Sequence, residues 1–126
     1  MGQGRWNPPP DAYLKGVIMK RKIVYICSPF RGEYKKNIER AIKFCEFAGK
    51  KGCVPIAPHL YFPLFLSDSK PAERAVAINM GKILLKQCDE IWVFGATISE
   101  GMKDEIAVAV QNNIPIKYFE AYGRKE

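Results

Sequence analysis

From Lys22 onward, short apolar runs alternate with longer stretches in which apolar residues recur every three or four positions. KIVYIC (22–27) is a β-branched and aromatic run, the pattern of a central strand covered on both faces. NIERAIKFCEFAGKKG then sets Ile38, Ala41, Ile42, Cys45 and Ala48 at helical spacing, with Asn37 as the expected N-cap and Gly52 as the expected stop. CVPIA (53–57) predicts a second strand. The aromatic-rich PHLYFPLFLSDSK that follows reads as an irregular connection of the kind that shapes a pocket wall. Ser69 and Pro71 announce a second helix running to about Gln87, with Ala72, Ala75, Val76, Met80, Ile83 and Leu84 forming its apolar face. EIWVF (90–94) is the third strand. A third helix begins within ISEGMKDEIAVA (98–109) and is expected to carry Ile106, Ala109 and Val110 inward, and IPIKYF (114–119) is the last strand.

Strands alternating with helices imply parallel pairing through right-handed crossovers. The expected architecture is α/β: a small doubly wound parallel sheet in a flavodoxin-like or Rossmann-like three-layer sandwich. It occupies residues 22–120. Residues 1–21, with three consecutive prolines and no long apolar block, read as a flexible or docked N-terminal arm, and 121–126 as a C-terminal tail; Met19 is a second place where the domain could begin. Sheets of this kind bind ligands beyond the carboxyl ends of their strands. Here those ends carry SPFRGE, PHLYF and GATISEGMKDE, which hold the polar oddities of the chain.

Composition narrows the function classes. No apolar run approaches the roughly 20 residues needed to span a bilayer, so no membrane anchor is expected. The formal charge of +7 comes from scattered lysines, and the aromatics sit in apolar segments, a poor match to a nucleic-acid groove binder. A diffuse positive field does favour a phosphorylated small molecule. Cys27, Cys45, Cys53 and Cys88 show no CxxC spacing and His59 is the single histidine, so a metal site is not expected, and the cysteines read as reduced core residues of a cytoplasmic protein.

Two constellations carry chemistry. In SPFRGE, Gly32 permits close approach of backbone N–H groups to an anion and Arg31 can fork onto a phosphate or carboxylate; an ordinary turn explains the same residues. In ISEGMKDEIAVA, Ser99 can cap a helix or hold a phosphate oxygen, Gly101 permits close approach, and Asp104 and Glu105 lie near a helix start. Helix-dipole electrostatics accounts for acids there, whereas a carboxylate hemmed by apolar walls after a central strand can act as a nucleophile. Tyr25 in the first strand needs a partner for its hydroxyl, which a carboxylate across the cleft supplies. His59 fits a structural or a substrate-contacting role equally.

VYICSPFRG, PIAPHLYF, CDEIWVFG and the S-x-G-x-x-x-E-[LI]-x-x-A pattern met by Ser99, Gly101, Glu105, Ile106 and Ala109 together resemble the nucleoside 2-deoxyribosyltransferase superfamily. The resemblance extends to its small phage- and Firmicute-type members and to the deoxynucleoside monophosphate N-glycosidases. It implies Glu105 as the nucleophile at C1′ of deoxyribose and Tyr25 as the tyrosine that holds it. It also implies a 5′-phosphate cradle of Arg31, Gly32 and Ser99, with His59 over the substrate, and a homodimer with no cofactor; Ser28 and Gly101 are expected substrate contacts beside it. Two positions depart from the pattern. Gly81 stands where an acid that protonates the leaving base is expected, leaving Asp104, Glu100 or Glu73 as substitutes, and Ser28-Pro29 stands where the monophosphate enzymes tend to have Gly-Ser. The expected function is N-glycosidic bond cleavage of a nucleoside or nucleotide. The alternative is a non-catalytic module that senses or sequesters a nucleotide.

Overall fold

A computed structural model describes residues 21–120; the expected N-terminal arm, the Met19 start and the C-terminal tail lie outside the described residues, apart from Arg21. The order of elements is β1 (Ile23–Cys27), α1 (Tyr34–Lys50), β2 (Val54–Ile56), two 3₁₀ turns (Pro58–Leu60 and Phe62–Leu64), α2 (Pro71–Lys86), β3 (Glu90–Phe94), α3 (Glu100–Gln111) and β4 (Ile116–Phe119). All strands pair in parallel in the order β2-β1-β3-β4, with Tyr25 opposite Ile56 on one side and Ile91 on the other. From β1 the chain moves to one side of the sheet and from β3 to the other, so the topological switch point lies between the carboxyl ends of β1 and β3.

Side chains alternate across each strand. Tyr25, Cys27, Ile91 and Val93 pack with Leu85 of α2 and Met102, Val108 and Ala109 of α3. Val24, Ile26, Trp92, Phe94 and Phe119 pack with Phe44 and Ala48 of α1. This second layer is a stack of rings: Phe94 lies 4.2 Å from Phe44 and 5.1 Å from Phe119, with interplanar angles of 11° and 18°. Phe94 is fully buried, so Phe94→Ala removes most of that stack and is expected to cost about 3–5 kcal/mol, read as a lower urea midpoint. At the opposite end of the sheet from the strand-end loops, the buried Glu90 carboxylate accepts from Lys22 Nζ (2.7 Å) and Trp92 Nε1 (2.8 Å) and pairs with Lys117 (3.3 Å). Burial pulls this carboxyl up, but these partners outweigh it and leave it below the usual range.

Several helical expectations are corrected. Asn37 is not the cap of α1, which starts at Tyr34; it is buried inside the helix and donates Nδ2 to the carbonyls of Phe30 and Arg31. The cap reading failed because the polar Tyr34–Lys36 turn lies against the loop, where an apolar periodicity has nothing to register. Ile42 points outward. On α2 the buried positions are Gly81 and Leu85, while Val76 and Ile83 are exposed; on α3, Val110 is 62% exposed. α2 and α3 pack partly on each other, which turns each helix away from the face that periodicity alone assigns. Gly52 ends α1 as expected, with φ at +81°.

Candidate active site

Tyr25 donates its hydroxyl to Glu105 Oε2 at 2.5 Å. The pair is assembled by the sheet: odd-numbered β1 residues face α2 and α3, and Glu105 sits one turn past Met102, which anchors α3 in the core. Gly81 of α2 closes the site from above, where an added Cβ would lie 3.4 Å from the Tyr25 hydroxyl. Part of the Glu105 side chain reaches the surface while its carboxyl is enclosed. Burial pushes that carboxyl up to about 7, against hydrogen bonds from Tyr25 and Cys27, and the neighbouring Asp104 charge adds to the push. Burial and the facing Glu105 hold Tyr25 well above the usual phenol range, so it remains a donor.

A second contact joins Ser28 Oγ and His59 Nε2 at 3.1 Å. Ser28 ends β1 and His59 sits in the 3₁₀ turn after β2, beside the Phe30 ring. Burial pulls His59 down to about 4, so its imidazole is neutral at pH 7. Arg31 lies in the same β1–α1 loop, but its Nε reaches Asp68 (2.9 Å), which also accepts from the Tyr34 hydroxyl (3.1 Å) and pairs with Arg74 of α2 (3.6 Å). This cluster straps the β1–α1 loop to the segment before α2. Gly32 adopts φ of +96°, a conformation suited to glycine, which lets the loop turn into α1.

The remaining expected site residues lie on α3. Ser99 is the N-cap and accepts from the Met102 N–H at 3.3 Å. Gly101 is exposed, and apart from its chain neighbours and its own helix backbone no atom of the described residues comes within 4 Å of where a Cβ would stand; Asp104 is exposed one residue before Glu105. Thus two hydrogen-bonded pairs form, Tyr25 with Glu105 and Ser28 with His59, while Arg31 is engaged by Asp68. Of the possible substitute acids, Glu100 pairs with Lys103, and Glu73 accepts from the Ser67 N–H and pairs with Lys70.

A protein-family model described as "Domain of unknown function (DUF7768)" matches residues 22–119. The chain belongs to the DUF7768 family. Its fold is similar to that of a 2-deoxyribosyltransferase from the psychrotolerant bacterium Bacillus psychrosaccharolyticus, described as a biocatalyst for the synthesis of antiviral and antitumoral nucleosides. That match has a TM-score of 0.61 at 17% identity, over 82% of this chain and 76% of that one. A 2-deoxyribosyltransferase from Leishmania mexicana matches with a TM-score of 0.49 at 19% identity, over 79% of this chain and 64% of that one. No curated protein sequence matches the chain. Among the described residues no helix is long and apolar enough to cross a membrane.

In this DUF7768 domain two participants escaped the reading of the sequence. Cys27 flanks Glu105 and favours its ionised form, while its thiol donates to the Met102 carbonyl (3.9 Å); its place two residues after Tyr25 on one strand face was the available signal. Asp68, lying between two serines in a long connection, carried no signal of its own. The Tyr25 hydrogen bond favours the ionised form of Glu105. Tyr25→Phe is therefore expected to move the pH dependence of any Glu105-dependent activity to higher pH, with a rate loss of about tenfold or more, since hydrogen bonds to charged groups contribute about 1.5–3 kcal/mol. A pH–rate profile of the variant checks this.

Proposed function

We propose that this protein cleaves the N-glycosidic bond of a nucleoside or its 5′-monophosphate through Glu105. The observation that carries the reading is the Tyr25–Glu105 hydrogen bond of 2.5 Å, made by a carboxyl whose protonation balances near pH 7. The likeness of fold to a 2-deoxyribosyltransferase supports it. In this reading the ionised Glu105 attacks C1′, the bond to the base breaks through an oxocarbenium-like state, and a sugar ester of Glu105 forms, as in retaining glycosidases. Water or a second base then attacks C1′ and returns the carboxylate. Tyr25 positions Glu105. The segment around Ser28, Arg31, Gly32, Ser99 and Gly101 holds the 5′ end of the substrate, and His59, neutral and hydrogen-bonded to Ser28, contacts it. Position 81 has no acid, and Asp104, on the helix beside Glu105, is the acid assigned to the departing base. The chain works as a homodimer, to which the exposed Val76 and Ile83 of α2 lend an apolar surface.

The test is to incubate the protein with a panel of ribo- and deoxyribonucleosides and their 5′-monophosphates and to follow free base by mass spectrometry. Release of base by the native protein and not by Glu105→Gln is the expected result. An unchanged panel sinks the catalytic reading.

One observation favours a second reading. Gly81 is buried with its backbone against the Tyr25 hydroxyl, so the expected acid is absent from a place that faces the pair directly. A site without it would bind a nucleotide and leave it whole. Calorimetric binding with the ligand recovered intact selects this reading over hydrolysis.

A further inference from the structure

The switch point between β1 and β3 has a second side. On the α1 face of the sheet, opposite the Tyr25–Glu105 pair, a cavity of about 260 Å³ opens between the loop after β1 (Ser28, Pro29), the loop after β3 (Gly95–Thr97) and the start of α1. Phe44 and Phe94 form its apolar floor. The turn that shapes one wall depends on Gly95, whose φ of +106° strains any residue with a side chain.

Two side chains from α1 give this cavity its chemistry. Asn37 is only 6% exposed, and both of its Nδ2 hydrogens are committed to carbonyls, those of Phe30 and Arg31. Those two acceptors fix the amide orientation, which leaves Oδ1 as an acceptor that receives no hydrogen bond among the described residues. No buried side-chain oxygen is left unsatisfied among them, so Oδ1 keeps some exposure, on a residue that lines the cavity. Arg40, one turn further along, lines the same cavity and has no carboxylate partner among the described residues. It also lines a larger adjoining groove of about 510 Å³ that runs along α1 past Lys36, Lys43 and Lys50, with Glu39 and Glu46 among them.

The ligand class follows from this pairing. An acceptor and a guanidinium three residues apart on a helix lie about 5–6 Å from each other at Cβ. The phosphoryl group of a monoester, with its second pKa near about 6, offers mainly acceptors at neutral pH, so a ligand that carries such a group and covers Asn37 Oδ1 pairs it best through a hydroxyl elsewhere in the same molecule. The volume of about 260 Å³ lies just under the roughly 300 Å³ at which pockets for drug-sized ligands begin, and it suits a small polyol. We infer that the cavity is a second small-molecule site, for a phosphorylated sugar, with a sugar hydroxyl donating to Asn37 Oδ1 and the phosphate on Arg40. The lysines of the adjoining groove raise the local concentration of such an anion. The cavity lies across the sheet from Glu105 and shares only Ser28 with the proposed substrate cradle, so it does not rest on the proposed cleavage.

Calorimetry on the full chain at about 0.15 M salt tests this, with ribose 5-phosphate as probe and with ribose and inorganic phosphate as controls. Arg40 is exposed, so Arg40→Ala tests the site without disturbing the core. Ribose 5-phosphate is expected to bind more tightly than either control and to lose about tenfold or more in affinity in Arg40→Ala. In Glu105→Gln its affinity is expected to be unchanged. Amide signals of Gly95 and Thr97 are expected to move on titration. The inference is overturned by a ribose 5-phosphate affinity no better than that of inorganic phosphate, which makes Arg40 a general anion contact. Equal affinity in Arg40→Ala also overturns it. So does a matching loss in Glu105→Gln, which moves the sugar phosphate to the other face of the sheet.

Discussion

Replacing Glu105 with alanine or glutamine is expected to lower N-glycosidic cleavage by at least about 10⁴-fold in kcat, the scale seen when a nucleophile is removed from a covalent mechanism. Glutamine keeps the shape of the side chain and still accepts from Tyr25, so a loss as large as that of alanine isolates the carboxylate charge from packing. Glu105→Asp keeps the charge and withdraws it by one methylene. Displacements of about 1 Å cost on the order of 10²-fold in positioned reactions, so the aspartate variant is expected to fall between the native protein and Glu105→Gln. Single-turnover measurements of base release order the three. Equal activity in Glu105→Gln and the native protein removes Glu105 from the chemistry. In the native protein the rate is expected to rise with pH through about 7, because burial holds the carboxyl there and the ionised form is the nucleophile.

The second large effect concerns stability. Glu105 titrates near 7 in the folded protein against an ordinary 4.5, so folding holds its proton more tightly. That contribution is complete below about 4.5 and is lost as pH rises through about 7, for a total of about 3 kcal/mol. His59 works in the opposite sense: it titrates near 4 when folded against 6.5 otherwise, so the unfolded chain takes up a proton that the folded one refuses. Its penalty grows as pH falls from about 6.5 to about 4 and also reaches about 3 kcal/mol. Between pH 4.5 and 6.5 the two slopes cancel. Glu105→Gln is therefore expected to be more stable than the native protein by about 3 kcal/mol above pH 7, and to lose stability on acidification below 6.5. His59→Gln is expected to show the converse, with stability falling as pH rises from 4.5 to 7. Urea unfolding of the three proteins at pH 4.5, 6 and 8 reads both effects, and differences from the native protein remove shared contributions such as that of Glu90. No gain in Glu105→Gln at pH 8 contradicts the enclosed carboxyl. The comparison also measures what the fold gives up to keep a carboxylate at this position.

Much of the architecture was legible because the relevant forces act locally. The apolar runs 22–27 and 90–94 read as central strands, and β1 and β3 are the inner pair of the sheet. Strand order then places SPFRGE, PHLYF and GATISEGMKDE at one end, as the alternation of strand and helix requires. Helix faces were less legible. Val76, Ile83 and Val110 satisfy a helical period yet point outward, because α2 and α3 are narrow layers that share one side of a four-stranded sheet and cannot bury every apolar position. Asn37 has the chemistry of a helix cap, but three preceding polar residues extend the helix and turn its amide to the loop carbonyls instead.

The candidate site divides along the same line. Residue types and their positions after the strands were written in the chain: a tyrosine on β1, a serine-capped helix, a glutamate two turns in. What they do to one another was not. Tyr25 and Glu105 are 80 positions apart and meet because β1 lies beside β3, whose crossover helix returns over the same face. The Asp68 carboxylate takes up Arg31, and the enclosure that lifts Glu105 to about 7 and lowers His59 to about 4 comes from elements distant in sequence. Periodicity registers only neighbours along the chain, so it determines strands, helices and the order of their loops. Desolvation and long-range pairing depend on which elements cover which, and only the folded sheet decides that.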